Sequence, residues 1–103
     1  MNPEEILVIM VPRPRRDDVV DVLMACEQLD GFTMTAAGGF SRAHAELDLR
    51  EQVQGYRDVV RFEVLCSPEV RERLLEQVAG LAGRDRFFYW VMPVLDRGPL
   101  GAN

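Results

Sequence analysis

Residues Ile6 to Val11 read Ile-Leu-Val-Ile-Met-Val, apolar at every position. The run is far shorter than the ~18 apolar residues a membrane-crossing helix needs, and Pro12 ends it. A short, largely β-branched run of this kind predicts a strand buried on both faces. That demand shapes everything downstream, because both sides of the first strand need covering.

The next segments show how one side is covered. Pro12-Arg13-Pro14-Arg15-Arg16 breaks the strand, and Asp17 and Asp18 open a helix with acidic residues at its positive end. Val19, Val22, Leu23, Cys26 and Leu29 give it an apolar stripe, and Gly31 is the expected stop. Phe32 to Ala37 predicts a second strand, closed by Gly38-Gly39. A long polar connection over residues 38–55 follows. Asp58 to Cys66 alternates cleanly: Val60, Phe62, Val64 and Cys66 on one side, Arg61 and Glu63 on the other. Ser67-Pro68 supplies a side-chain cap and a proline for the first helical position. Val70, Leu74, Val78 and Leu81 form the stripe of a second helix, closed by Gly83. Arg86 to Leu95 predicts a fourth strand, and 96–103 a tail. The order β-α-β-β-α-β predicts a single α+β domain, a ferredoxin-like sandwich with two helices on one face of a four-stranded antiparallel sheet.

Two helices cover only one face of such a sheet. The fourth strand, with Phe88, Trp90 and Met92 on one side and Phe87, Tyr89 and Val91 on the other, is apolar on both, like the first. A bare second face of several hundred Å² at ~25 cal/mol per Å² drives association by roughly 10 kcal/mol. A homo-oligomer packed through its open sheet faces is expected. The alternative is a lone domain covered by its own tail.

Composition narrows the function classes. In 103 residues the net charge is −5, which argues against general nucleic-acid binding. The first residues, Met1-Asn2-Pro3-Glu4-Glu5, are acidic where a signal peptide is basic, and two cysteines without such a signal fit a reducing, cytoplasmic setting. All 12 basic residues are Arg, which is the ordinary outcome of a GC-rich genome. It still excludes Schiff-base lysine chemistry and makes guanidinium the cationic clamp on offer. Ser67 is a helix cap and Ser41 stands on a loop near His44, so no preorganised nucleophile is legible, and no enzymatic activity is expected.

Three segments carry a resemblance: Leu49-Arg50-Glu51-Gln52-Val53-Gln54-Gly55-Tyr56-Arg57, Val60-Arg61-Phe62-Glu63-Val64-Leu65, and Tyr89-Trp90-Val91-Met92-Pro93-Val94-Leu95. Together they resemble a family of small bacterial proteins in the PII-like superfamily, often encoded beside heavy-metal efflux systems. The resemblance implies a homotrimer of ferredoxin-like subunits that binds a small effector, such as an adenine nucleotide, in clefts between subunits. It also implies signalling through the 38–55 loop to a membrane transporter or other regulated protein. The superfamily includes the CutA-type divalent-cation tolerance proteins. The chain departs from PII signal proteins before the fourth strand. Gly80-Leu81-Ala82-Gly83-Arg84-Asp85-Arg86 is short, and Phe88 stands where their phosphate-binding lysine would be. Arg84 and Arg86 are the cations left to replace it.

Candidate site residues follow. Gly38, Gly39 and Gly55 flank the loop as hinges or as turn formers, and Arg57 just after it is placed to clamp a phosphate. Within the loop, His44, Glu46 and Asp48 alternate with Ala43, Ala45, Leu47 and Leu49. In an extended segment the three share one face at steps of about 7 Å, a nitrogen and two oxygens suited to a divalent metal such as Zn, Ni or Co. The competing interpretation is a solvated polar edge. Cys26 and Cys66 lie on core-facing stripes and read first as apolar filler. Met10, Met24, Met34 and Met92 are core candidates before they are copper ligands.

Overall fold

The structure is a computed structural model that describes residues 4–40, 51 and 55–101. Strand β1 (Glu5–Pro12) leads through a 3-10 turn at Arg13–Arg15 into helix α1 (Arg16–Met24). Strand β2 (Phe32–Gly39), strand β3 (Arg57–Cys66), helix α2 (Pro68–Ala82) and strand β4 (Phe88–Pro93) complete the chain. The sheet order is β2-β3-β1-β4, with every neighbour antiparallel. This is the ferredoxin-like α+β sandwich expected from the sequence.

The core lies between one face of the sheet and the helices. Leu7, Ile9 and Val11 of β1 and Val60, Phe62, Val64 and Cys66 of β3 meet Val19 and Leu23 of α1 and Val70, Leu74 and Val78 of α2. Helix α2 begins as the sequence dictates: Ser67 caps it by accepting from the Val70 amide at 3.3 Å, and Pro68 follows. It ends at Gly83, whose φ of 57° suits a residue without a Cβ.

Three boundaries differ from expectation. Helix α1 stops at Met24 rather than continuing towards Gly31. The Cys26 amide bonds back three residues to the Leu23 carbonyl, and Leu29 then bonds to Cys26, so the last turns tighten out of the helix. Cys26 and Leu29 still pack against the core, so the stripe holds where the helix does not. Strand β2 runs on through Gly38 and Gly39, which pair with Asp58 and Arg57. Strand β4 starts at Phe88, not Arg86, because the preceding segment is held by Arg15. That side chain donates to the Leu81 carbonyl and pairs with Asp85 at 3.4 Å.

The second face of the sheet is open. The register places Ile6, Val8 and Met10 of β1 beside Leu65, Glu63 and Arg61 of β3 on one flank, and beside Met92, Trp90 and Phe88 of β4 on the other. The Arg61 guanidinium sits over the Trp90 ring, 5.4 Å from its centre, and its Nε donates to Glu63 at 2.9 Å. This pair spans β1, and Val8 beneath it is fully buried even though no helix covers it. Beyond this roof the face is bare: Phe88 is 55% and Trp90 40% exposed.

A candidate effector site at one end of the sheet

Antiparallel pairing decides which loops meet. The Gly39–Arg57 pair, the Val59–Pro12 pair and the Phe88–Met10 pair put the base of the β2–β3 connection, the turn after β1 and the loop before β4 at the same end of the sheet. The predicted ligand residues Gly38, Gly39, Gly55, Arg57, Arg84 and Arg86 therefore gather at one end. They stand on both sides of β1: Arg57 on β3, and Arg84 and Arg86 ahead of β4. Two strand spacings of about 4.8 Å separate those strands, so Arg57 and Arg86 flank a space rather than touch.

The base of the connection is firmly built. Glu51 is buried, and its carboxylate accepts from the Asp58 backbone amide at 2.5 Å. Gly55 bonds back to the Glu51 carbonyl at 2.7 Å and takes φ of 87°, a left-handed conformation that glycine adopts without strain. The Tyr56 ring then lies against Gly38 and packs with Phe40, ring centres 5.6 Å apart. Gly38 is thus needed for close approach, not for an unusual backbone angle.

At the opposite flank Arg15 braces the 82–87 loop, and Arg84 and Arg86 project from it. Among the described residues, no hydrogen bond or ion pair engages Arg57, Arg84 or Arg86. Within that frame, three guanidinium groups are free to bind an anion.

His44, Glu46 and Asp48 lie outside the described residues. Among the described residues no three His, Cys, Asp or Glu side chains cluster to hold a metal. Cys66 is buried at the core edge and Cys26 half-buried beside Gln28. Burial, and then the neighbouring Glu5 carboxylate, push the Cys66 thiol up to about 11, so it is a protonated thiol at neutral pH and a poor nucleophile or ligand. Met34 faces the helix side of β2, opposite Phe62, and Met24 ends α1; Met10 and Met92 share the open face four register positions apart. These methionines form no cluster.

Sequence reasoning missed Glu51, Tyr56 as the partner of Gly38, and Arg15. The signal for Arg15 was present: an arginine directly after a Pro-Arg-Pro break sits at the end of a strand, where it reaches a neighbouring loop.

The profile of a family described as a protein of unknown function, DUF3240, matches residues 1–101. This chain belongs to the DUF3240 family. A DUF3240 protein from Shewanella baltica OS155, known from its crystal structure, is 31% identical. That likeness covers 98% of this chain and all of the other, with a TM-score of 0.81. The fold extends further. CPII, a nitrogen regulatory PII-like protein from Thiomonas intermedia K12 bound to ADP, AMP and bicarbonate, superposes with a TM-score of 0.72 at 15% identity, covering 95% of this chain and 97% of that one. A PII-like signalling protein from Thermus thermophilus gives 0.65 at 20% identity, covering 90% and 88%. Among proteins of curated function none matches this chain in sequence. The PII-like fold of this DUF3240 protein is thereby shown. No helix among the described residues is long and apolar enough to cross a membrane.

Proposed function

We propose that this DUF3240 protein is a regulatory protein of the PII-like kind: a homotrimer whose β2–β3 connection responds to a small effector or a divalent metal and then engages a regulated partner, such as a heavy-metal efflux transporter. The observation that carries it is the gathering, at one end of the sheet, of the base of that connection and three arginines unpaired among the described residues. A guanidinium binds phosphate or carboxylate through two parallel hydrogen bonds, so Arg57 on one side of β1 and Arg84 and Arg86 on the other suit an anionic ligand laid across this end. CPII, with the same fold, is bound to ADP, AMP and bicarbonate, which gives the anions to try first. His44, Glu46 and Asp48 are the proposed metal ligands. The open face, with Phe88 and Trp90 bare, is the surface that joins the copies. No catalytic step is part of this proposal.

One observation favours a second reading. Glu51, Gly55 and the Tyr56–Gly38 contact hold the base of the connection with the chain's own groups. A connection already held in this way also suits a constitutive trimer that docks a partner without any small ligand.

A thermal-shift panel separates the two. The purified protein is heated with ADP or AMP, each with and without bicarbonate, and with Zn, Ni, Co and Cu ions. His44→Ala and Arg57→Gln are run alongside. A ligand at ~100 times its Kd adds about 2.7 kcal/mol of stability, a rise of several degrees for a domain of this size. A metal shift lost in His44→Ala assigns a metal sensor. A nucleotide shift reduced in Arg57→Gln assigns an anion effector. A flat panel leaves the constitutive module.

A further inference from the structure

Helix α2 and strand β4 do not close on one another. Between them lies a groove of about 470 Å³, within the range of small-molecule sites. Its wall is apolar, built from Ile9 of β1, Leu75, Val78 and Ala79 of α2, and Phe87 just ahead of β4. Tyr89, directly opposite Ile9 in the sheet, lines its outer side and is 55% exposed. The groove exists because two helices centred on β1 and β3 leave the helix-side face of the edge strand β4 only partly covered.

The charges at the rim are unequal. Asp85 is neutralised by Arg15, 3.4 Å away. Arg86 lines the groove with no ion-pair or hydrogen-bond partner among the described residues. Glu76, on the outer surface of α2, stands at the same rim. One free guanidinium above an apolar wall matches one anionic group on an apolar body. The Glu76 carboxylate repels the further charges of a polyphosphate.

We infer that the groove between α2 and β4 binds a small molecule with a flat apolar body and a single carboxylate, its carboxylate on Arg86 and its ring against Ile9, Val78 and Phe87. This rests on the effector-binding reading and names the ligand class for the Arg86 flank of that site. Seating such a molecule would fix the 82–87 loop, and with it the start of β4.

The test uses 2-naphthoate as probe, followed by amide NMR shifts on the full chain, with 2-naphthamide as the uncharged analogue. Shifts are expected at Ala79, Phe87 and Tyr89, saturating with the probe. Naphthamide and Arg86→Gln should each weaken binding about tenfold or more, the worth of a charge-assisted contact. Ala79→Trp, an exposed helix position on the groove wall, should fill the space and abolish binding while the remaining spectrum and the melting temperature hold. No saturable shifts in the wild type would overturn the inference, as would undiminished binding in Ala79→Trp or equal affinity for naphthamide. The ADP, AMP and metal panel run on the same preparation keeps the two ideas apart. If one of those ligands binds and naphthoate does not, only the groove assignment falls. If none binds, the effector reading falls with it.

Discussion

The ring of Tyr56 occupies the space where a side chain on Gly38 would begin. A Cβ built on Gly38 lies 2.9 Å from Tyr56 Cδ2 and 3.1 Å from Cε2. Gly38 is at the end of β2 and Tyr56 just before β3, so this contact sets how the connection leaves the sheet. Gly38→Ala should force the ring aside and cost about 1–3 kcal/mol, as overpacking does. Tyr56→Ala in the same chain should recover most of that loss, because the clash is then gone. Melting curves of the two single variants and the double variant test this; strictly additive losses would show that the two residues do not meet.

Glu51 gives a second test at the same place. Its carboxylate is buried and accepts from the Asp58 amide. Glu51→Ala should lower stability by about 1–3 kcal/mol, the cost of leaving a buried donor unsatisfied. The local readout is hydrogen exchange: the Asp58 amide should exchange faster while amides in the middle of β3 keep their protection. Unchanged protection at Asp58 would remove Glu51 from the base of the connection.

The open face makes Trp90 decisive for assembly. Trp90→Asp places a carboxylate among Val8, Met10 and Phe88 and takes away the ring under Arg61. The expected outcome by light scattering after size-exclusion chromatography is a smaller species, or no soluble protein. Arg61→Met is milder, since it keeps the apolar cover over Val8 and removes only the charge. It should leave a folded protein whose assembly is unchanged or tighter. A Trp90→Asp protein of unchanged size would refute association through this face.

Cys66 links stability to alkaline pH. Burial and the Glu5 carboxylate raise its thiol from 9.0 to about 11 in the folded protein. Below pH 9 the thiol is protonated folded and unfolded alike, so it leaves stability untouched. Between about pH 9 and 11 the unfolded thiol loses its proton while the folded one keeps it, and stability falls as pH rises. Cys66→Ala should flatten that part of the pH profile. A profile from pH 8 to 11 identical in both proteins would exclude Cys66 as the cause.

The elements were legible where one chemical rule acted alone. Ser67-Pro68 placed the start of α2, and the alternation from Val60 to Cys66 fixed β3 with its core face. The both-sided apolarity of Ile6–Val11 predicted an open sheet face, and Val8 shows how it is partly met, by Arg61 laid over Trp90. Boundaries set by contacts between distant residues were not legible. The start of β4 depends on Arg15, whose partner Asp85 lies 70 residues away. The end of α1 depends on a tightened turn that its apolar stripe does not reveal. For the site, the glycines and arginines could be nominated from the chain, but not their common end of the sheet, which follows from strand register. Glu51 reads as one more solvated carboxylate in a polar stretch until the fold buries it.

The sheet order also bears on how the protein is made. β1 is a central strand, yet both its neighbours, β3 and β4, follow it only after long intervening stretches of chain. During synthesis its two edges stay unpaired until β3 and then β4 leave the ribosome, and the nascent chain carries the Ile6–Val11 run exposed for most of that time. Contacts so remote in sequence slow folding, and an exposed apolar strand with free edges invites pairing with other chains. Emergence of β4, rather than of either helix, is the moment when this domain first closes, and chaperone protection of β1 up to that moment should decide its yield in the cell.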